Sequence, residues 1–206
     1  MKIRGSSKKT KTIVLWFAVV FTFAFGIFVG KSYESFFLTQ KQHIVIDSVD
    51  KTDLLYAYFL IEEEVAKNGY AIAYVSGNGG VIDDAIMFYD LMHATDIWER
   101  TTFIATGQIC SASNIVWLSA KNRIITPGSS FLIHKAKWNM KNEDESVKIK
   151  DRFIIARNTH NIVLLSTGEK ESAEFWTDIL IGNKNGTVLN AKEALEMGWA
   201  TNILIN

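Results

Sequence analysis

The chain has 206 residues, 22 basic and 22 acidic side chains, and 48% hydrophobic residues, enough for a proper core and too apolar for a disordered chain. Zero net charge argues against nucleic-acid binding, which needs a basic excess to neutralise phosphates. A single cysteine excludes an internal disulfide framework and any multi-thiolate metal site.

The first element concentrates the charge asymmetry that the total conceals. Residues 1–30 contain Lys2, Arg4, Lys8, Lys9 and Lys11 and no acid, so they carry +5 and residues 31–206 carry −5. Behind this basic flank (1–12), Ile13–Gly30 runs for eighteen residues without a charge. At the helical rise that is about 27 Å, close to a bilayer's hydrocarbon core. The run is longer than the apolar region of a cleaved signal peptide, and FVGKSYES behind it offers no convincing cleavage site. It also lacks the polar face of a core helix. The pattern predicts an uncleaved transmembrane helix over 13–30, a linker over 31–42 and a folded domain over 43–206. The positive-inside rule puts the flank in the cytoplasm and residues 31–206 on the periplasmic or extracellular side.

Beyond the linker, strand and helix signals alternate. His43–Asp47 reads as a short strand, with Ser48 or Asp50 as cap for an amphipathic helix over Leu54–Lys67. Tyr70–Val75 is a second strand, ended by the loop SGNGG, and Val81–Ala94 has helical spacing. Thr102–Thr106 is a third strand and Ser111–Ala120 a third helix. Arg123–Ile125 and Phe131–Ile133 are short strands around the turn TPGSS. A long helix over Glu145–Ser166 and a shorter one over Glu171–Leu180 precede the loop GNKNGT. Asn190 then caps a short helix with Glu193 in capping-box position, and Asn202–Ile205 is a closing strand. Repeated β-α units with short connections predict an α/β fold with a parallel sheet.

Three places can hold chemistry. The glycines of Ser76–Gly80 permit close backbone approach, so the loop's N–H groups can cradle an anion or simply make a tight turn. Ser111 closes Gly107-Gln-Ile-Cys-Ser at a strand-to-helix junction, where the helix dipole and the following Ala112 N–H favour developing negative charge; an N-cap serine is the plainer reading. His134 ends the apolar strand and is either a satisfied core histidine or a general base. His43, His93 and His160 have no comparable setting, and Cys110 reads as a small packing residue.

Taken together and in order, VSGNGGVIDDAIMFYDLM, GQICS and FLIH resemble the proteolytic subunit of the Clp protease. So do Thr167-Gly168 and Ala191-Lys-Glu-Ala-Leu-Glu-Met-Gly198, and the resemblance spans about residues 43–206. It implies the Clp-protease/crotonase fold and a serine peptidase without cofactor or metal, with Ser111 as nucleophile and His134 as general base. Gly80 and Ala112 would then supply the oxyanion-hole N–H groups. The acid of the triad falls after Thr167-Gly168: Asp178 fits best and Glu174 is the reserve. Asn78 stands where the family has proline, and Ser113, where it has glycine, is a rival nucleophile.

An anchor replaces the family's N-terminal axial segment, which argues against docking of a Clp-type ATPase. The resemblance also implies a homo-oligomer acting on peptide or protein substrates. Signal peptide peptidase A is more distantly similar, with an anchor and a Ser–Lys dyad for which Lys148 or Lys150 would be needed. Two other classes stay open: a crotonase-type acyl-CoA enzyme that uses only the oxyanion hole, and a non-catalytic oligomeric scaffold.

Overall fold

A computed structural model describes residues 43–135, 145–168, 171, 173–180 and 186–204, of which 145–153 and 173 are described as backbone only. The anchor and linker predicted over 13–42 lie outside the described residues; among those that are described, no helix is long and apolar enough to cross a membrane.

The elements follow the alternation of the sequence. Strand β1 (Ile44–Ile46) leads into helix α1 (Lys51–Asn68), and β2 (Ala71–Gly77) into α2 (Ile82–Ala94). After a 3-10 turn (Ile97–Arg100) come β3 (Thr101–Cys110), α3 (Ser113–Leu118), β4 (Asn122–Ile125) and β5 (Ser130–Ile133). Helices α4 (Glu145–Thr167) and α5 (Ala173–Leu180) precede β6 (Thr187–Asn190), α6 (Ala191–Glu196) and β7 (Asn202–Ile203).

Local chemistry explains the boundaries. Asp50 caps α1: its carboxylate accepts from the Thr52 and Asp53 N–H groups at 3.0 and 3.1 Å. Leu54, Ala57, Tyr58, Ile61 and Val65 recur at helical spacing and are the buried residues of α1. Asn190 and Glu193 form the expected capping box at the start of α6.

The sheet runs β1-β2-β3-β4-β7 with parallel pairing throughout, and β5 and β6 branch from it. The third strand is twice the expected length because it does two jobs. Thr102–Ala105 pair with β4, whereas Gln108–Cys110 pair with β5, so the strand forks near Gly107. The fork carries the chain directly to Ser111. The expected parallel sheet is mixed at one edge: β6, read as loop and cap, pairs antiparallel with β5 from Ser130↔Asn190 to Ile133↔Thr187. Four residues with one buried side chain give β6 no alternation of its own, and its partner strand supplies the ladder.

Alternation along β1 and β2 buries one face under helices, with Ile44, Ile46, Ala73 and Val75 inside. On the other face Val45, Tyr74, Ile104 and Ile124 stand in one cross-strand row. Beneath the helices Trp117, Trp176 and Trp199 are fully buried, and the last two pack with tilted rings, 5.0 Å between centroids. Arg123, 6% exposed, ties this region together with no carboxylate partner among the described residues. Its guanidinium donates to the carbonyls of Ala120, Ser166, Gly198 and Trp199 at 2.7–3.1 Å, gathering the ends of α3, α4 and α6. Burial pushes its pKa down to about 10, so it stays charged at neutral pH.

Candidate active site

Where β3 ends, the chain turns sharply. Ser111 has φ +52°, a left-handed conformation that a residue with a Cβ adopts only at a cost of roughly 1–2 kcal/mol. Three bonds hold it there. Its N–H donates to the Leu132 carbonyl at 2.9 Å, and its own carbonyl accepts from the N–H and the side-chain Nδ2 of Asn114, both at 3.0 Å. Ser111 therefore precedes α3 instead of beginning it, and Ala112 takes the cap position.

The glycine loop closes over this turn. Gly79 has φ +95°, and a Cβ built on it would lie 2.6 Å from the Ser111 Cβ and 3.2 Å from the Ala112 nitrogen. Only glycine permits that approach. Gly80 lies alongside Val49, whose carbonyl accepts from Val81 N–H at 3.0 Å. Among the described residues neither the Gly80 nor the Ala112 N–H has an acceptor, and both residues line the same cavity as Ser111.

That cavity measures about 460 Å³ and also receives His134. Its lining mixes apolar side chains, among them Ile115, Leu118, Ile133, Val163 and Leu180, with polar ones that include Asn78, Asp83 and Thr159. His134 follows β5 and is half-buried. Its Nδ1 lies 2.7 Å from the Lys135 carbonyl. A carbonyl only accepts, so Nδ1 carries the proton and Nε2 presents a lone pair. Gly186, with φ +102°, packs against the same residue: a Cβ there would sit 2.8 Å from the His134 Cβ and 2.5 Å from the Ile133 oxygen. Ser111 and His134 share the cavity without a hydrogen bond between them, a spacing common in unliganded hydrolases.

The remaining sequence candidates take the following positions. Asp178 sits exposed on α5, two residues before the cavity-lining Leu180, and the side-chain hydrogen bond of His134 goes to Lys135 and not to Asp178. Glu174, the reserve, is exposed one turn earlier on that helix and does not line the cavity. Ser113, the rival nucleophile, is 2% exposed, and its Oγ accepts from the Gly79 N–H at 3.1 Å; it anchors the glycine loop. Lys148 and Lys150 fall in the part of α4 described as backbone only.

His93 is stacked between Tyr89 and Trp98 at 4.2 and 4.5 Å, and burial pulls its pKa below the ordinary histidine value. His160 Nε2 meets Thr177 Oγ1 at 3.3 Å between α4 and α5, and His43 packs on Tyr74. Burial pushes the Cys110 thiol up, which fits its reading as a packing residue. Among the described residues no group of three or more His, Cys, Asp or Glu can hold a metal ion.

Sequence reasoning passed over Asn114 and Trp199. Trp199 Nε1 donates to Asn114 Oδ1 at 3.2 Å across 85 positions of chain, and no local pattern announces such a pair.

Comparison with known proteins puts this arrangement in context. No curated protein matches the chain. Among solved structures, a ClpP1 point mutant from Listeria monocytogenes shares the fold with a TM-score of 0.65 at 18% identity, over 82% of this chain and 96% of that one. The profile described as Clp protease matches residues 32–206, nearly all of the chain beyond the apolar run. The chain therefore belongs to the Clp protease family and is a serine-type peptidase.

Proposed function

We propose that the protein is a membrane-anchored serine endopeptidase in which Ser111 attacks the scissile carbonyl and His134 takes its proton. The observation that carries this reading is one cavity that receives a serine in a left-handed turn and a histidine whose Nε2 is left as acceptor. A serine hydroxyl is a weak nucleophile at neutral pH and needs such a base. As Oγ bonds to carbon, its proton passes to Nε2 and negative charge moves to the carbonyl oxygen. The Gly80 and Ala112 N–H groups receive that charge. The imidazolium then protonates the leaving amine, and water releases the acyl group by the same route.

The third place of the triad has less support. The resemblance implies a carboxylate, with Asp178 as best fit, whereas the Lys135 carbonyl already holds Nδ1. That carbonyl is sufficient to fix the tautomer and lacks the negative charge that stabilises an imidazolium.

The basic flank and the apolar run Ile13–Gly30 support the anchor, with the catalytic domain on the periplasmic or extracellular side. That placement, away from cytoplasmic ATP, leaves a Clp-type ATPase without access. The cross-strand row Val45, Tyr74, Ile104 and Ile124, in which Val45 is exposed and the other three are half-buried among the described residues, supports self-association into a homo-oligomer.

The test is hydrolysis of a quenched fluorogenic peptide library by the detergent-solubilised chain beside Ser111→Ala and His134→Ala. Each substitution is expected to lower turnover by about 10⁴-fold or more. Full turnover by Ser111→Ala overturns the reading and favours a non-covalent crotonase-type activity. Protease accessibility in intact cells tests the topology, and cytoplasmic exposure of residues 31–206 contradicts it.

A further inference from the structure

We infer that Asn114 and Trp199 act as a positioning pair that holds the Ser111 turn in its reactive geometry and in register with His134. The inference rests on the peptidase reading above. The Asn114 carboxamide is 4% exposed and spends every strong donor it has. One Nδ2 hydrogen goes to the Ser111 carbonyl at 3.0 Å and the other to the Leu132 carbonyl at 2.9 Å. Its Oδ1 accepts from Trp199 Nε1 at 3.2 Å. Carbonyls only accept and an indole N–H only donates, so this amide orientation alone satisfies all three partners.

The connection has a direction. Leu132 lies on β5, two residues before His134, and its carbonyl accepts from both Ser111 N–H and Asn114 Nδ2. One side chain thus ties the strained nucleophile turn to the segment that delivers the base. Trp199 is held independently of its indole, because its carbonyl accepts from Trp117 Nε1 at 2.8 Å and Arg123 Nε at 3.1 Å. The indole N–H is therefore a fixed post against which the amide is aligned. Both residues also line the cavity, but their polar atoms bond to the Ser111 and Leu132 carbonyls and to each other, not to Ser111 Oγ or the His134 ring. Their hydrogen bonds act on where Ser111 Oγ stands relative to Nε2, so losing those bonds moves the rate of acylation more than the affinity of a small ligand.

Asn114→Asp keeps the shape and replaces two donors with an acceptor facing two carbonyls. Trp199→Phe removes the indole N–H and keeps the backbone contacts. The probe is an alkyl fluorophosphonate, with kinact and KI measured separately on the full chain in detergent, and urea unfolding followed in parallel. Asn114→Asp is expected to lower kinact by about 100-fold with KI within about threefold. Trp199→Phe is expected to lower kinact by about fivefold, the worth of one modest hydrogen bond. The double variant should fall within about threefold of Asn114→Asp alone, because the two act as one unit.

The inference is overturned if folded Asn114→Asp or Trp199→Phe labels at the wild-type kinact, or if the loss appears in KI. It is also overturned if the two losses multiply in the double variant. Should Asn114→Asp not fold, Trp199→Phe decides alone. Wild-type protein that does not label at Ser111 overturns the peptidase reading itself, a different result from a wild type that labels and variants that match it.

Discussion

Ser111 and His134 line one cavity, yet the two sides are built to different standards. The Ser111 turn is fastened by β5 through Leu132, by α3 through Asn114 and by the glycine loop through Gly79. The histidine leans on the carbonyl of its own neighbour and on Gly186. A strained backbone persists only where surrounding contacts over-determine it, and the serine is the strained member. The neutral imidazole is fixed in tautomer and direction by one main-chain acceptor. The nucleophile side should therefore tolerate less change than the base side.

Substitutions on the two sides put that contrast at risk. Gly79→Ala places a Cβ 2.6 Å from the Ser111 Cβ, against atoms that are tied on three sides. Peptide turnover and fluorophosphonate labelling should fall by about 100-fold, as for a misplacement near 1 Å. Gly186→Ala places a Cβ 2.8 Å from the His134 Cβ and 2.5 Å from the Ile133 oxygen at φ +102°, but it lies just before β6, which pairs with β5 alone, and strains the base side only. Its loss should be smaller, about tenfold, and an equal or larger loss would erase the contrast. Asp178→Asn should change turnover by about threefold or less, whereas removal of a working triad carboxylate costs about 10⁴-fold. A large loss there would show that a carboxylate, and not the Lys135 carbonyl, orients the base.

The smallest effect concerns stability away from the site. Burial between Tyr89 and Trp98 lowers the pKa of His93 despite Asp90 and Asp96 nearby. Its folded pKa is below the unfolded value, so the unfolded chain binds the proton more readily. The neutral ring's contribution is whole above the unfolded pKa, near 6.5, and is lost as pH falls toward the folded one. Urea midpoints between pH 7 and 5 should fall less steeply in His93→Phe than in wild type, with turnover at pH 7 unchanged.

How much was legible in the sequence follows the range of each interaction. The Asp50 and Asn190 caps, the helical stripe of α1 and the position of Ser111 after a glycine-bearing strand are local, and local pattern was sufficient. The fork of β3 and the antiparallel β6 were not legible, because pairing partners decide them. Gly80 and Ala112 were placed at the cavity by order along the chain. Asp178 was chosen by the same kind of order, and it falls on α5, two residues before the cavity-lining Leu180. The Asn114–Trp199 bond joins distant positions and left no mark in either neighbourhood.

The most direct test of the central claim is to label the solubilised chain with a fluorophosphonate at neutral pH and map the adduct by peptide mass spectrometry. The adduct should sit on Ser111, with none on Ser113, and it should vanish in His134→Ala with the fold intact. An adduct on Ser113, or undiminished labelling without His134, would contradict the account.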